Sequence, residues 1–173
     1  MGHVWERAWP DIDRGAVFDT DTVKAEHLSR QRPGFSVYQN KAEDALAVGA
    51  ASHLEVGIVD CDPYGEPWPT LEAFFTTERP RLPLIGVAVN DGLRQKLRLQ
   101  GGWHVASMRG AVERFGNAAM HAKYLDVARW KMEQLAAIAG YRLQMWTGYY
   151  CGDKGDMTHY AAVLGMAPRR RRR

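Results

Sequence analysis

The sequence contains little cysteine and no long apolar run. Its two cysteines, Cys61 and Cys151, are too few and too far apart to build a disulfide framework or a zinc site. No apolar stretch reaches the length of about 18 residues that a transmembrane helix requires, and no charged-then-apolar signal peptide begins the chain. We therefore predict a soluble cytoplasmic protein that binds no metal ion.

The net positive charge of the chain comes from its carboxyl terminus. The formal net charge is +3, but Arg169 to Arg173 contribute more than that, so the rest of the chain is slightly acidic. The length of 173 residues suits one domain with a full core. We expect residues 1–166 to form this domain and residues 167–173 to be a disordered Arg-rich tail. The tail either contacts phosphates of a nucleic acid or has no binding role.

Short apolar runs alternate with helix-like segments along most of the chain, and no internal repeat is present. Strands are predicted at residues 15–18, 35–39, 56–60, 84–89, 141–150 and 158–164. Helices are predicted at residues 3–9, 22–30, 41–51, 70–77 and 105–139, the last with a break near Gly116. This order predicts an α/β, Rossmann-like fold, in which a mostly parallel sheet has helices on both faces and ends in an antiparallel hairpin.

The most informative segment follows the third predicted strand. Val56 to Val59 runs into Asp60-Cys61-Asp62-Pro63-Tyr64-Gly65-Glu66-Pro67. In an open α/β sheet, ligands bind at the carboxyl ends of strands. A carboxylate, a rigid backbone carbonyl and a flat ring together suit a planar amine, such as the exocyclic amino group of a nucleobase. The structural alternative is a proline-rich surface turn.

This eight-residue segment resembles motif IV of the class I S-adenosylmethionine-dependent N-methyltransferases. The most similar form is the D-x-D-P-F-G-x-P of the tRNA N2-guanine dimethyltransferases. The resemblance implies S-adenosylmethionine as the cofactor and a fold that closes with a hairpin, as predicted above. It also implies that Asp62 and the Pro63 carbonyl hold the target amine and that Tyr64 stacks on the base.

Further substrate contacts are predicted near this segment. Gly65 belongs to the motif itself, and Trp68 follows it closely enough to be a stacking platform. Asp91 lies in Asn90-Asp91-Gly92 after the next strand and could line the same cleft, although a plain turn is the alternative there. A base within a duplex would have to be extruded before it reached these residues.

The resemblance also implies residues that bind the cofactor. Asp19 ends the first predicted strand, where the family has an acidic residue that accepts hydrogen bonds from both ribose hydroxyls. The alternative role is helix capping, which suits Asp21 better than Asp19. Gly2 corresponds to the last glycine of the family's glycine-rich turn, and we place Asp60 with the cofactor-binding residues.

The adenine of the cofactor would lie at the end of the second predicted strand. The family usually has Asp-Ala there, whereas this chain has Lys41-Ala42. The Ala42 amide can still donate to the adenine, and Glu43 or Asp44 can accept from its amino group. The alternative is an ordinary helix start.

The chain departs from the family pattern at its beginning. The family starts with a strand and a glycine-rich turn, but here Met1-Gly2 leads directly into the predicted helix at residues 3–9. We expect a truncated sequence or a misplaced start. The strands that end at Asp19 and Asp60 would then flank an empty slot, and they would either pair directly or leave backbone groups without partners.

Two functions from different classes remain. The first is an S-adenosylmethionine-dependent N-methyltransferase acting on an exocyclic amine of a nucleic-acid base. The second is a non-catalytic nucleic-acid-binding protein that keeps a degenerate methyltransferase fold. A nicotinamide-dependent dehydrogenase is less favoured, because no residue is indicated for a hydride relay. The tRNA family also carries a large C-terminal domain that is not found here, so the resemblance does not extend to a tRNA substrate.

Overall fold

The computed structural model describes residue 12 and residues 14–63, 65–100 and 106–168, with the side chains of 97–100 excepted. The predicted helix at residues 3–9, Gly2, Tyr64 and the arginines at 169–173 lie outside the described residues. The first half of the chain contains β1 (Gly15–Phe18), α1 (Thr22–Gln31), β2 (Phe35–Tyr38), α2 (Ala42–Ala47), β3 (Ile58–Cys61) and α3 (Trp68–Thr76). The second half contains β4 (Leu84–Asp91), α4 (Leu93–Gln100), a 3-10 turn (Ala106–Met108), α5 (Arg109–Phe115), α6 (Asn117–Ala122), α7 (Tyr124–Ile138), β5 (Tyr141–Cys151) and β6 (Met157–Met166).

The strands form two sheets. β1 and β2 pair in parallel, and β3, β4, β6 and β5 form a four-stranded sheet in that order. β3 is parallel to β4, whereas β6 is antiparallel to both of its neighbours, so the predicted closing hairpin is confirmed. The architecture is therefore the α/β arrangement with parallel strands that the element order predicted.

β1 and β3 do not pair with each other. Among the described strands, β1 pairs with β2 and β3 pairs with β4, and neither has a second partner. Of the two alternatives stated for these strands, direct pairing is not found among the described residues. The helices that follow β2 and β3 contact each other instead. The Thr77 hydroxyl, at the C-cap of α3, donates to the Leu46 carbonyl of α2 at 3.0 Å.

The core lies on one face of the larger sheet. Along β4 the side chains alternate, and Ile85, Val87, Val89 and Asp91 are buried. Their register partners on β6 are Leu164, Ala162, Tyr160 and Thr158, which are also buried. Met132 and Leu135 of α7 belong to the same hydrophobic cluster. The alternation is the period-two pattern of a sheet with one buried face.

The structure differs from the sequence prediction at several element boundaries and in one additional helix. α2 ends at Ala47 rather than at residue 51, because Gly49 adopts a φ of +89° and the Ala50 amide donates back to the Ala45 carbonyl at 2.9 Å. Asn90 and Asp91 belong to β4 and not to a turn, since they pair with His159 and Thr158. α4 was not predicted. No helix among the described residues is long and apolar enough to cross a membrane.

Candidate active site

The last residues of β3 and the residue that follows it present two carboxylates to solvent. Asp60 and Asp62 are exposed, and Cys61 between them is buried, as strand alternation requires. Burial, with Asp60 and Asp91 as the next causes, raises the pKa of the Cys61 thiol to about 12. The thiol is therefore protonated and unreactive at neutral pH. The Asp62 carboxylate, which is exposed directly after β3, can contact a ligand.

The loop from Asp62 to Pro67 is anchored on both sides of its tip. On one side, Cys61 is held in register with Val89 by the pairing of β3 and β4. On the other side, the Gly65 carbonyl accepts a hydrogen bond from the Gly92 amide at 2.8 Å. Gly65 has a φ of +120°, which L-residues rarely adopt, so glycine is required at this turn.

The next residue adds a third anchor. The Ser107 hydroxyl donates to the Glu66 carboxylate at 2.8 Å. The loop is therefore fixed at Gly65 and at Glu66, and the ring of Pro63 restricts the backbone beside Asp62.

The prediction that Trp68 stacks on a substrate base is wrong. Trp68 has an exposed fraction of 0%, and its indole Nε1–H donates to the Tyr124 hydroxyl at 3.1 Å. Its ring also stacks on Tyr160, with ring centroids 6.0 Å apart. Trp68 begins α3, whose apolar side is buried in the core, and this carries the indole inside.

The prediction that Asp91 lines the substrate cleft is also wrong, because its side chain is fully buried. The Leu93 amide donates to Oδ1 at 2.8 Å, while the hydroxyls of Tyr124 and Tyr160 donate to Oδ2 at 2.7 and 3.0 Å. Burial raises the pKa of Asp91 to about 6, although these three hydrogen bonds oppose the rise. Asp91 faces inward because it continues the buried alternation of β4.

The raised pKa predicts how Asp91 affects stability. The folded chain binds the Asp91 proton up to about pH 6, whereas the ordinary value is 3.8. The resulting stabilisation is complete below the ordinary pKa and is lost as the pH rises through 6. One pKa unit corresponds to about 1.4 kcal/mol. As the pH rises from below 3.8 to above 6, the unfolding free energy of the native chain should therefore fall by about 3 kcal/mol more than that of Asp91→Asn.

Urea unfolding of both chains between about pH 4 and pH 7 measures this difference, and Asp91→Asn removes the contribution of the other carboxylates from the comparison. A difference that stays constant, or one that increases with pH, would contradict the burial of an ionisable Asp91.

The predicted ribose-binding residue lies at the carboxyl end of β1. Asp19 is half-buried, and its Oδ1 accepts a hydrogen bond from the Asp21 amide at 2.9 Å. No described residue hydrogen-bonds to its Oδ2. Asp21 is the N-cap of α1, since its side chain accepts from the Lys24 amide at 3.1 Å. The capping role therefore belongs to Asp21.

The predicted adenine-binding residues begin α2. Ala42 is the first residue of the helix and packs partly against the core. Glu43 is turned toward α3, where the Thr70 hydroxyl donates to its carboxylate at 3.3 Å. It lines a cavity of about 590 Å³ with residues of α3, α5 and α7. Asp44 is exposed, so it is better placed than Glu43 to accept from an adenine amino group.

Sequence reasoning missed the two tyrosines that contact Asp91. Tyr124 lies within the predicted helix at residues 105–139 and Tyr160 within the predicted strand at residues 158–164, but neither position indicates a polar role. Burial raises the pKa of both phenols well above the usual range, with the nearby Asp91 charge as the second cause, so both remain hydrogen-bond donors. The signal that could have indicated them is that a buried tyrosine hydroxyl needs a partner.

The described side chains include no group of three or more histidines, cysteines or carboxylates that could hold a metal ion. Asp19 follows β1 and Asp62 follows β3, and each of these strands is parallel to its neighbour. Both residues therefore lie at the carboxyl ends of strands, where ligands bind in open α/β sheets. The described strands and helices form an α/β fold in which two parallel strand pairs are followed by an antiparallel hairpin.

A comparison with one solved structure supports this fold. The chain is similar to the N-methyltransferase NodS from Bradyrhizobium japonicum WM9, with a TM-score of 0.50, 10% sequence identity, and coverage of 96% of this chain and 81% of NodS. A variant of the 16S rRNA (adenine(1408)-N(1))-methyltransferase from Catenulisporales acidiphilia matches with a TM-score of 0.40, 13% identity, and coverage of 98% and 93%. The fold assignment rests on NodS. No protein-family model and no curated protein matches the sequence.

Proposed function

We propose that this protein is an S-adenosylmethionine-dependent N-methyltransferase that acts on an exocyclic amine of a nucleic-acid base. The observation that carries the proposal is the exposed Asp62 carboxylate next to Pro63, on a loop anchored at the end of β3. Motif IV of the N-methyltransferases has the same residues at the same place in the chain. Guanine, with its N2 amino group, is the first base to test, because the segment from Asp60 to Pro67 is most similar to motif IV of the N2-guanine dimethyltransferases.

The proposed chemistry depends on two acceptors. The lone pair of a base amino nitrogen is delocalised into the ring, so the nitrogen is a poor nucleophile. Hydrogen bonds from the amine to the Asp62 carboxylate and the Pro63 carbonyl favour a pyramidal nitrogen and expose its lone pair. Tyr64 would stack on the base. The bound cofactor would supply an electrophilic methyl group, and alignment of nitrogen and methyl group lowers the barrier.

The residues at the other strand ends fit the proposed cofactor. Asp19 has one carboxylate oxygen without a hydrogen bond from any described residue, as a contact to ribose hydroxyls requires. The Ala42 amide and the exposed Asp44 carboxylate lie beyond β2, where an adenine would be bound in such a fold. Glu43 already accepts from Thr70, so Asp44 replaces it as the adenine contact in this proposal.

The cofactor site is tested by calorimetric titration with S-adenosylhomocysteine. We expect saturable binding to the native chain and a loss of at least about tenfold in affinity for Asp19→Ala, because the carboxylate would make a charge-assisted, two-point contact with the ribose. Asp21→Ala is the matched control, since it removes a carboxylate two residues away that caps α1. It should cost about 1 kcal/mol of stability and leave the affinity nearly unchanged.

Two results would contradict the cofactor site. Equal losses in the two variants would mean that Asp19 has no specific role. No binding by a native chain that circular dichroism shows to be folded would favour the alternative, a nucleic-acid-binding protein without catalysis.

The transfer reaction is tested with S-adenosylmethionine labelled in its methyl group and with RNA and DNA strands that contain all the bases. Mass spectrometry of the digested products identifies the methylated base and atom. Label on an exocyclic nitrogen supports the proposal. Label on carbon, or a folded chain that binds both substrates and transfers no label, would refute it.

A further inference from the structure

Four buried side chains lie behind the loop that carries Asp62. Trp68, Asp91, Tyr124 and Tyr160, which we call the buried quartet, each have an exposed fraction of 4% or less. The Trp68 Nε1–H donates to the Tyr124 hydroxyl, and both tyrosine hydroxyls donate to Asp91 Oδ2. None of the four can touch a substrate directly, so any effect on catalysis must pass through the loop.

Two members of the quartet, Trp68 and Asp91, are connected to the loop through neighbouring residues. Trp68 directly follows Pro67, and its indole is held by Tyr124. Asp91 directly precedes Gly92, whose amide donates to the Gly65 carbonyl at 2.8 Å. Asp91 also accepts from the Leu93 amide, which fixes the backbone on the far side of Gly92. Both ends of the segment from Gly65 to Trp68 therefore depend on one hydrogen-bonded cluster.

Close packing makes the Gly92 contact sensitive to position. A Cβ atom at Gly92 would lie 3.3 Å from the Gly65 carbonyl oxygen and 3.6 Å from the Gly65 Cα atom. A displacement of the end of β4 is thus transmitted to the loop, because interiors packed at this density have little room to absorb it.

The composition of the quartet also requires an explanation. A buried carboxylate without a described cationic partner costs stability, and an apolar side chain of similar volume would pack there without that cost. The described groups that interact with Asp91 include the two tyrosines, the Leu93 amide, the Cys61 thiol and the acidic Glu66, and none of these carries a positive charge. A costly polar cluster directly behind a ligand-binding loop is more readily explained by function than by stability.

We propose that Asp91 and Tyr124 are positioning residues that hold the Asp62–Trp68 loop in the geometry required for methyl transfer. This proposal rests on the proposed function for its catalytic meaning, but the ordering of the loop can be measured without any activity. Tyr124 is the central member, because its hydroxyl connects Asp91 to Trp68. Tyr160 donates to Asp91 without a hydrogen bond to Trp68, although its ring stacks on the indole.

The two tyrosines provide a matched pair of variants. Tyr124→Phe and Tyr160→Phe each remove one hydroxyl from Asp91 Oδ2, but only Tyr124→Phe also removes the link to Trp68. We expect amide hydrogen exchange over residues 62–71 to become at least about tenfold faster in Tyr124→Phe and to change less than about twofold in Tyr160→Phe. Thermal unfolding of both variants establishes that each is folded. Trp68→Phe, which removes the same link from the other side, should match Tyr124→Phe.

In the transfer assay, Tyr124→Phe should lower kcat at least about tenfold, with the affinity for S-adenosylhomocysteine unchanged. Tyr160→Phe should keep kcat within about twofold of the native value. Equal exchange rates in the two tyrosine variants, or equal losses of kcat, would overturn the positioning role. If the native chain transfers no methyl group, the proposed function fails, and the exchange measurement still decides whether Tyr124 orders the loop.

Discussion

Asp62→Ala is expected to reduce methyl transfer at least about a hundredfold, the size of effect that follows when a reacting group is no longer positioned. The carboxylate is exposed and lies at the end of β3, so its removal leaves no cavity and should change the unfolding free energy by less than about 0.5 kcal/mol. In the proposed reaction it accepts a hydrogen bond from the target amine. Nucleic-acid binding, which depends mainly on phosphate contacts, should remain within about twofold.

Steady-state kinetics with labelled cofactor and filter binding of the same nucleic acid measure the two quantities separately. Asp153→Ala is the control, because Asp153 is an exposed carboxylate in the turn between β5 and β6. Full activity in Asp62→Ala would exclude a catalytic role for this carboxylate. Parallel losses of binding and transfer would make it a binding residue instead.

Trp68→Ala is expected to lower the unfolding free energy by about 3–5 kcal/mol, the range for removing a large aromatic side chain from a core. The fully buried indole stacks on Tyr160 and donates to Tyr124, so the variant also leaves the Tyr124 hydroxyl without this donor. Such a loss is a large part of the total stability of an ordinary domain. Urea unfolding at neutral pH measures it.

Trp130→Ala is the matched control for the loss of an indole. Trp130 is only partly buried, and its ring lies edge-on to Phe115 beside the 590 Å³ cavity. Its replacement should cost less than half as much as that of Trp68. The interpretation of Trp68 as a stacking platform makes the opposite forecast, in which stability is unaffected and nucleic-acid binding is weakened. Equal stability of Trp68→Ala and the native chain would restore that interpretation.

The candidate site could be predicted from the sequence where its residues act locally. Asp62 follows a short apolar strand, and alternation within a strand depends only on the neighbouring residues. Asp19 and Asp21 are separated by two positions, and a capping residue is identified by the helix that follows it. The break between α5 and α6 was also predictable, because Gly116 is a glycine within an otherwise helical segment. In the structure Gly116 has a φ of +75°, which glycine adopts readily.

The sequence by itself therefore determined the order of the six strands and of the helices other than α4, the loop with Asp62 and Pro63, and the position of Asp19 at a strand end. Only the tertiary structure decided that Trp68 and Asp91 are buried and that β1 and β3 belong to separate sheets. Burial depends on partners that are distant along the chain, and Trp68 and Tyr124 are 56 residues apart, while Asp91 and Tyr160 are 69 apart. The alternation of β4 places Asp91 on the face shared with Val89, but neither that pattern nor the helix start at Trp68 identifies the distant tyrosines that cover these two side chains.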